Sequence, residues 1–326
     1  MTGAPLIPRR LEGISPRAYE HPADRAATAA LKKIPKLDLV VRKLIEFQYE
    51  RALRQSFLAS SIRLGPQQLP DIWAGYERVL ATLDMPDTYD LYVTQWPLAN
   101  AATIGSGKPM IVLNSAAVSL LDEAEIETVL AHEAGHILSD HVLYRTVLMI
   151  LLQLGSVRLP LVAGLPLLAI RAALLEWFRA TELSCDRAST LVNRDPLVTC
   201  RTMMVMAGGA NSRKLDLDAF LKQAGEYDEW DSGWDRMSRF FVELGLTHDF
   251  PVRRVHELMK WVRSGEYDRI VGGDYVRRGE DDVDPRAAAG EAVDHYTERF
   301  KKLFRDAQEE AEKASGKLSD WLRYGG

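Results

Sequence analysis

Two imidazoles and a carboxylate stand close together in His132-Glu133-Ala-Gly135-His136, with the histidines four residues apart. On a helix that spacing puts both rings on one face about a turn from each other, where they can share one Zn²⁺. Glu133 follows His132 directly, so its carboxylate comes within reach of a water at that metal, the layout of a metal-assisted hydrolase. A surface helix that happens to carry two histidines gives the same five letters. A third ligand separates the two readings.

That ligand is expected on another helix. The segment Trp177–Ala188 carries Glu182 and Asp186 four residues apart. One helical face then offers Glu182 to the metal and Asp186 to the free ring N–H of a ligating histidine. Two histidines and a glutamate, with the fourth position left for water, make a catalytic zinc set, whereas a structural site would want cysteines. The plain alternative is a solvated acidic face balanced by Arg179 and Arg187.

At these residues the chain resembles the M48 zinc metallopeptidases, the gluzincin group that includes the CAAX-prenyl and heat-shock membrane proteases. The family pattern is H-E-x-G-H followed by a helix with E-x-x-x-D, matched here by His132-Glu133-Ala-Gly135-His136 and Glu182-Leu-Ser-Cys-Asp186, and the resemblance spans roughly residues 25 to 265. It implies a zinc-dependent metalloendopeptidase that hydrolyses peptide bonds of protein substrates, with Glu133 as general base then general acid. The segment Leu244–Leu258 is similar to the family's T-H-P stretch, which has an arginine six positions after the histidine. Here Asp249 directly follows His248, and the proline is displaced to Pro251. By that resemblance His248 stands near the zinc, as a transition-state hydrogen-bond donor or a removable fourth ligand. Arg254 then helps hold the oxyanion or anchors the loop. A helix start with solvated His and Arg is the plain alternative. Cys185, near Glu182 in sequence, offers a conceivable thiol ligand but reads first as a small core side chain, and His21, His141, His256 and His295 read as ordinary.

Several elements must position these groups. Asp122, Glu123 and Glu125 give the first turn of the zinc helix its acidic character, and Leu121, Ile126, Val129, Leu130 and Ile137 form its apolar stripe. Gly135 is a poor helix former, which points to a close neighbour there. Upstream, Tyr89–Gln95 and the residues ending at Asn114 read as strands around a Gly105–Pro109 turn, so a small antiparallel sheet is expected beside the zinc helix. Asn100, Ala101, Ala102 and Thr103 are the candidate edge strand for pairing with extended peptide; an ordinary core hairpin is the other reading. The predicted fold class is α+β, mostly helical, a gluzincin-type core with that sheet.

Downstream, Thr146–Val157 and Leu159–Ile170 are two apolar runs separated by Arg158. Each is too short to cross a bilayer, which takes about 20 residues, and joining them would bury Arg158 at a cost of about 3 kcal/mol. Buried helices, or peripheral membrane contact through 146–170, are expected rather than a span. The glutamate helix is predicted from Leu167 to about Val192, and another from Pro196 to Ala207. Residues 1–24 read as an extended lead-in, 25–271 as the metallopeptidase domain, 272–292 as an acidic glycine-rich linker, and 293–326 as an amphipathic terminal helix.

A chain of 326 residues with 47% hydrophobic content can bury a sizeable core. A net charge of -5 argues against nucleic acid as a partner, because phosphate binding needs a basic excess. Two cysteines do not make a disulfide scaffold, and no apolar signal region follows the basic N-terminal residues, so a cytoplasmic, membrane-associated or free, enzyme is expected. The rival reading is a membrane-peripheral chaperone or adaptor with a latent zinc site. Oligomeric state is not legible from the residues.

Overall fold

The computed structural model describes residues 10–34, 49–105, 107–154, 167–229 and 250–280, with isolated positions between 37 and 41 and between 294 and 305. Helix α1 (Pro22–Leu31) starts with proline at its first turn, where the missing N–H costs nothing. Helix α2 (Tyr49–Ser60) leads into strand β1 (Ser61–Arg63), and helix α3 (Pro70–Thr82) again begins on a proline. Strands β2 (Asp90–Thr94), β3 (Ala101–Ile104) and β4 (Met110–Asn114) follow, then the short helix α4 (Ser115–Leu120).

The fold is α+β and mostly helical, with the sheet beside the helix of His132 and His136 as expected. The sheet is mixed rather than antiparallel: its order is β1-β2-β4-β3, with β2 and β4 parallel and the outer pairs antiparallel. The reason is the path of residues 95–109, which lay β3 outside β4 instead of returning it beside β2. That leaves β3 as an edge.

Helix α5 (Glu123–Leu138) carries both histidines. Asp122 Oδ1 accepts from the Glu125 N–H at 3.0 Å, and Glu125 Oε2 accepts from the Asp122 N–H at 3.0 Å, a reciprocal cap that fixes where the helix begins. It ends just as definitely. Asp140 adopts a left-handed φ of 57°, while the His141 N–H bonds the His136 carbonyl at 3.0 Å and the Asp140 N–H bonds that of Ile137 at 3.1 Å. This reversal folds His141 back beneath His136.

Helix α6 (Val142–Leu154) and the long helix α7 (Leu167–Asn193) come next; the segment between them, including Arg158, lies outside the described residues. Helices α8 (Pro196–Gly208), α9 (Leu217–Glu229), α10 (Pro251–Arg263) and α11 (Glu266–Val271) complete the body. Among the described residues no helix is long and apolar enough to cross a membrane. In the 146–170 stretch, Val147, Leu148, Ile150, Leu151, Ala169 and Ile170 are buried in the protein.

Two hydrophobic clusters form the interior. One gathers α3, α8, α10 and much of α5; the other gathers α1, α6 and the first half of α7. Helix α7 runs through both, contributing Ile170 to Ala180 to one and Ala188 to Val192 to the other. Between these stretches it carries Thr181, Glu182, Ser184, Asp186 and Arg187, all buried. Buried polar groups of this kind must be paired, and their partners define a polar seam between the clusters. Gly135 permits the close crossing of α5 and α7: a Cβ there would sit 3.0 Å from the Ala188 Cβ and 3.5 Å from Cys185 Sγ.

Residues 10–19 and 276–278 pack onto this body. In the segment expected as an extended lead-in, Leu11, Ile14 and Tyr19 are core residues. At the start of the expected linker, the Ser15 N–H bonds the Val276 carbonyl and the Arg278 N–H bonds that of Gly13, while the Arg278 side chain reaches Asp84. The apolar side chains of 10–19 need burial and the strand-like 276–278 pairs with them; residues 281–292 and most of the expected tail helix lie outside the described residues.

Candidate active site and metal centre

His132 and His136 point from α5 toward Glu182 on α7. Glu182 Oε1 lies 3.5 Å from His132 Nε2 and 3.2 Å from His136 Nε2. Ligands about 2.0–2.1 Å from a tetrahedral zinc stand about 3.3 Å from each other. Glu182 Oε1 therefore stands from each ring nitrogen at about the spacing that two ligands of one such ion would have, and two nitrogens with one carboxylate oxygen suit zinc.

Asp186, one turn after Glu182, accepts from His132 Nδ1 at 3.1 Å, so the ring presents Nε2 to Glu182. Arg254 on α10 braces both acids. Its Nε donates to Asp186 Oδ2 at 2.8 Å, one terminal nitrogen to Asp186 Oδ1 at 2.5 Å, and the other lies 3.0 Å from Glu182 Oε2. Burial alone would raise the Asp186 carboxyl, but the Arg254 charge and the His132 ring hold it below the usual range. Burial would likewise lower His132, yet Glu182 and Asp186 push it up to about 9. His136 moves the opposite way, well below its ordinary value, first through burial and then through the Arg145 charge.

Glu133 faces the same seam and is 3% exposed. Its Oε2 accepts from Thr103 Oγ1 at 2.7 Å and from Arg145 at 2.7 Å, and a second Arg145 nitrogen lies 3.3 Å from Oε1. The Arg145 guanidinium sits 5.1 Å over the Phe178 ring, which stacks on His136 at 5.8 Å. A cleft of about 490 Å³ opens here. It is lined by His132, Glu133, Glu182, Asp186 and Arg254, by Leu98 to Ala101, and by an apolar set from α8 that includes Met203 and Met206.

The predicted residues therefore meet with few exceptions. His132, His136, Glu133, Glu182, Asp186 and Arg254 come together. Of the edge-strand candidates, Asn100 and Ala101 line the cleft, Ala102 does not, and Thr103 turns inward to Glu133. His248 lies outside the described residues. Cys185 offers Sγ within 4.8 Å of ring nitrogens of His132 and His136. It is fully buried against the Gly135 side and absent from the cleft lining, and burial first, then the Glu182 and Asp24 charges, push its thiol well up. Glu182 is the better third donor because its Oε1 stands 3.5 and 3.2 Å from the two ring Nε2 atoms, whereas burial holds the thiol in its protonated, poorly ligating form.

Sequence reasoning missed three participants. Arg145 stands immediately before the apolar run 146–157, where a lone charge has to find a partner. His141 was set aside as ordinary, yet it is 2% exposed and its Nδ1 lies 3.2 Å from His136 Nδ1. Asp24, on α1, lies 3.1 Å from His141 Nε2 through its Oδ2; no local spacing announces it.

The model of Peptidase family M48 matches residues 66–262. The plastoglobule-localized metallopeptidase 48, chloroplastic, of Arabidopsis thaliana is 35% identical over 260 residues, covering 78% of this chain and 74% of that protein. No solved structure is a significant match.

Proposed function

The chain belongs to peptidase family M48 and is a metalloendopeptidase acting on proteins or peptides; we propose that its metal is zinc, held by His132, His136 and Glu182, with Glu133 as the general base. The observation that carries this is the convergence of both Nε2 atoms on one oxygen of Glu182, at 3.5 and 3.2 Å. When bound, such an ion polarises the scissile carbonyl and acidifies a water.

The protein's own groups do the rest. Glu133 takes a proton from the attacking water and delivers it to the departing amine. Thr103 and Arg145 fix the carboxylate that makes this transfer, so its orientation costs no reorganisation during the reaction. Asp186 orients His132. Arg254, whose Nε and both terminal nitrogens meet Asp186 and Glu182, serves as the brace of the ligand set rather than as an oxyanion donor. His248 is retained as the proposed oxyanion donor on the sequence resemblance alone. Extended peptide is proposed to run along the β3 segment, where Asn100 and Ala101 line the cleft.

A cytoplasmic setting fits two buried free thiols, Cys185 and Cys200. Peripheral membrane contact through 146–170 is proposed for the part of that stretch beyond the buried helices, and liposome pelleting with and without 155–166 tests it. The adaptor reading is not favoured, given the family and the metallopeptidase relative.

Zinc content and cleavage of unfolded casein test the central reading. Glu133→Gln is expected to keep stoichiometric zinc while losing at least about 10²-fold in kcat; Glu182→Ala is expected to lose both. Normal proteolysis by the first variant would sink the assignment.

A further inference from the structure

The two histidines on α5 are oriented in different ways. His132 has a carboxylate directly on Nδ1, from Asp186. On the corresponding atom of His136 sits a second imidazole, with His136 Nδ1 and His141 Nδ1 3.2 Å apart. Beyond it, His141 Nε2 lies 3.1 Å from Asp24 Oδ2. Asp24 is itself held from two sides: Ser184 Oγ donates to Oδ2 at 2.5 Å and Thr28 Oγ1 to Oδ1 at 3.1 Å. Thr28 in turn accepts from Trp177 Nε1 at 2.8 Å, and the Trp177 ring meets His141 edge-on at 5.7 Å.

Proton accounting gives this chain a direction. A carboxylate only accepts, so His141 Nε2 carries the hydrogen it shares with Asp24. In the neutral ring, His141 Nδ1 is then an acceptor, and the hydrogen between the two imidazoles belongs to His136 Nδ1. His136 Nε2 is left with its lone pair, and that atom faces Glu182 Oε1 at 3.2 Å. The opposite tautomer would aim an N–H at the metal position. Every link is buried: Asp24, His136, His141 and Ser184 are each at most 2% exposed, so water cannot substitute for a missing partner.

We propose that Asp24 and His141 are the positioning pair of the metal ligand His136, and thus that helix α1, outside the matched residues 66–262, completes the active site. The inference rests on His136 being a ligand, as argued above. The competing use of the same atoms is a second cation bound by Glu20, Asp24 and His141, whose donor atoms lie within 4.8 Å of one another. Against it, Oδ2 of Asp24 already accepts from Ser184 and faces His141, and Oδ1 accepts from Thr28.

Zinc affinity of the full chain, measured by chelator competition, and the visible spectrum of its Co²⁺ form provide the test, with the melting temperature of the metal-free chain as the folding control. Asp24→Asn and His141→Leu are each expected to weaken zinc binding about 10–100-fold and to alter the Co²⁺ spectrum. His141→Gln, whose amide oxygen can accept from His136 Nδ1, should recover part of that loss. The double variant Asp24→Asn with His141→Leu should bind about as weakly as His141→Leu alone, because the two act through one route. Should His141→Leu fail to fold, Asp24→Asn and His141→Gln carry the comparison. Folded variants with zinc affinity within threefold of wild type and an unchanged spectrum would overturn the pair's role. So would two zinc equivalents in the wild type, one of them lost in Asp24→Asn with the other unaffected, since that assigns the cluster to a second ion. A wild-type chain that binds no zinc would overturn the reading of the site itself, and the positioning pair with it.

Discussion

Arg145 holds Glu133 by two nitrogens, 2.7 Å from Oε2 and 3.3 Å from Oε1, with both side chains at or below 5% exposure. The pair is costly to break, because removing one member leaves the other as an uncompensated buried charge. Arg145→Met is therefore expected to lose about 3–5 kcal/mol of stability in denaturant unfolding. Its kcat should fall about 10²-fold through misplacement of the base, with KM little changed. Adding Glu133→Gln to that variant should return most of the stability and none of the activity. If Arg145→Met retained wild-type stability, the pair would be a surface-type contact and this account would be wrong.

Arg254 joins Asp186 to Glu182, a task that needs a planar fork. Lysine brings one point charge and cannot bridge both acids in the same way. Arg254→Lys should therefore lower zinc affinity about tenfold while leaving the fold intact. Dialysis against chelator followed by metal analysis reads this directly, and full retention of zinc would argue that the brace is incidental.

Gly135→Ala opposes two effects at the crossing of α5 and α7. Alanine favours the helix by up to about 1 kcal/mol. Its Cβ would stand 3.0 Å from Ala188 Cβ, and overpacking of this kind costs about 1–3 kcal/mol. The packing cost is expected to win, lowering the melting temperature and loosening zinc. Ala188→Gly in the same chain should relieve the clash, so a double variant no better in zinc affinity than Gly135→Ala would refute the steric explanation.

Glu20 supplies a test by pH. Burial first, then the Asp24 charge, raise its carboxyl to about 7. A raised carboxylate pKa means that the folded chain holds its proton more tightly than the unfolded one. The associated stability is fully present below the unfolded value near 4.5 and is lost as pH rises through about 7. Glu20→Gln should match the wild type near pH 4 and exceed it above pH 7, by no more than about 2 kcal/mol once the partial solvent contact of Glu20 is allowed for. A difference independent of pH, read from melting curves across that range, would contradict the assignment.

Much of the architecture is legible in the residues because its signals are local. Asp122 with Glu125 announces the start of α5, and Pro196 opens a helix at the expected place. The sheet was harder to read. Strand patterns in 90–94 and 110–114 say which residues alternate, not which strands are neighbours, and here the two lie side by side and parallel.

The same divide runs through the active site. His132, His136, Glu182 and Asp186 were determined by the sequence itself, because a four-residue spacing on a helix places side chains on one face whatever surrounds them. Which groups oppose that face only the tertiary structure decided. Arg145 reaches Glu133 because the left-handed turn at Asp140 sends α6 back past α5, and Asp24 reaches His141 because α1 packs against α7. Periodicity names the face that must be buried but not the element that buries it. Where that face is polar, the partner of each buried charge is set by the packing of the whole chain.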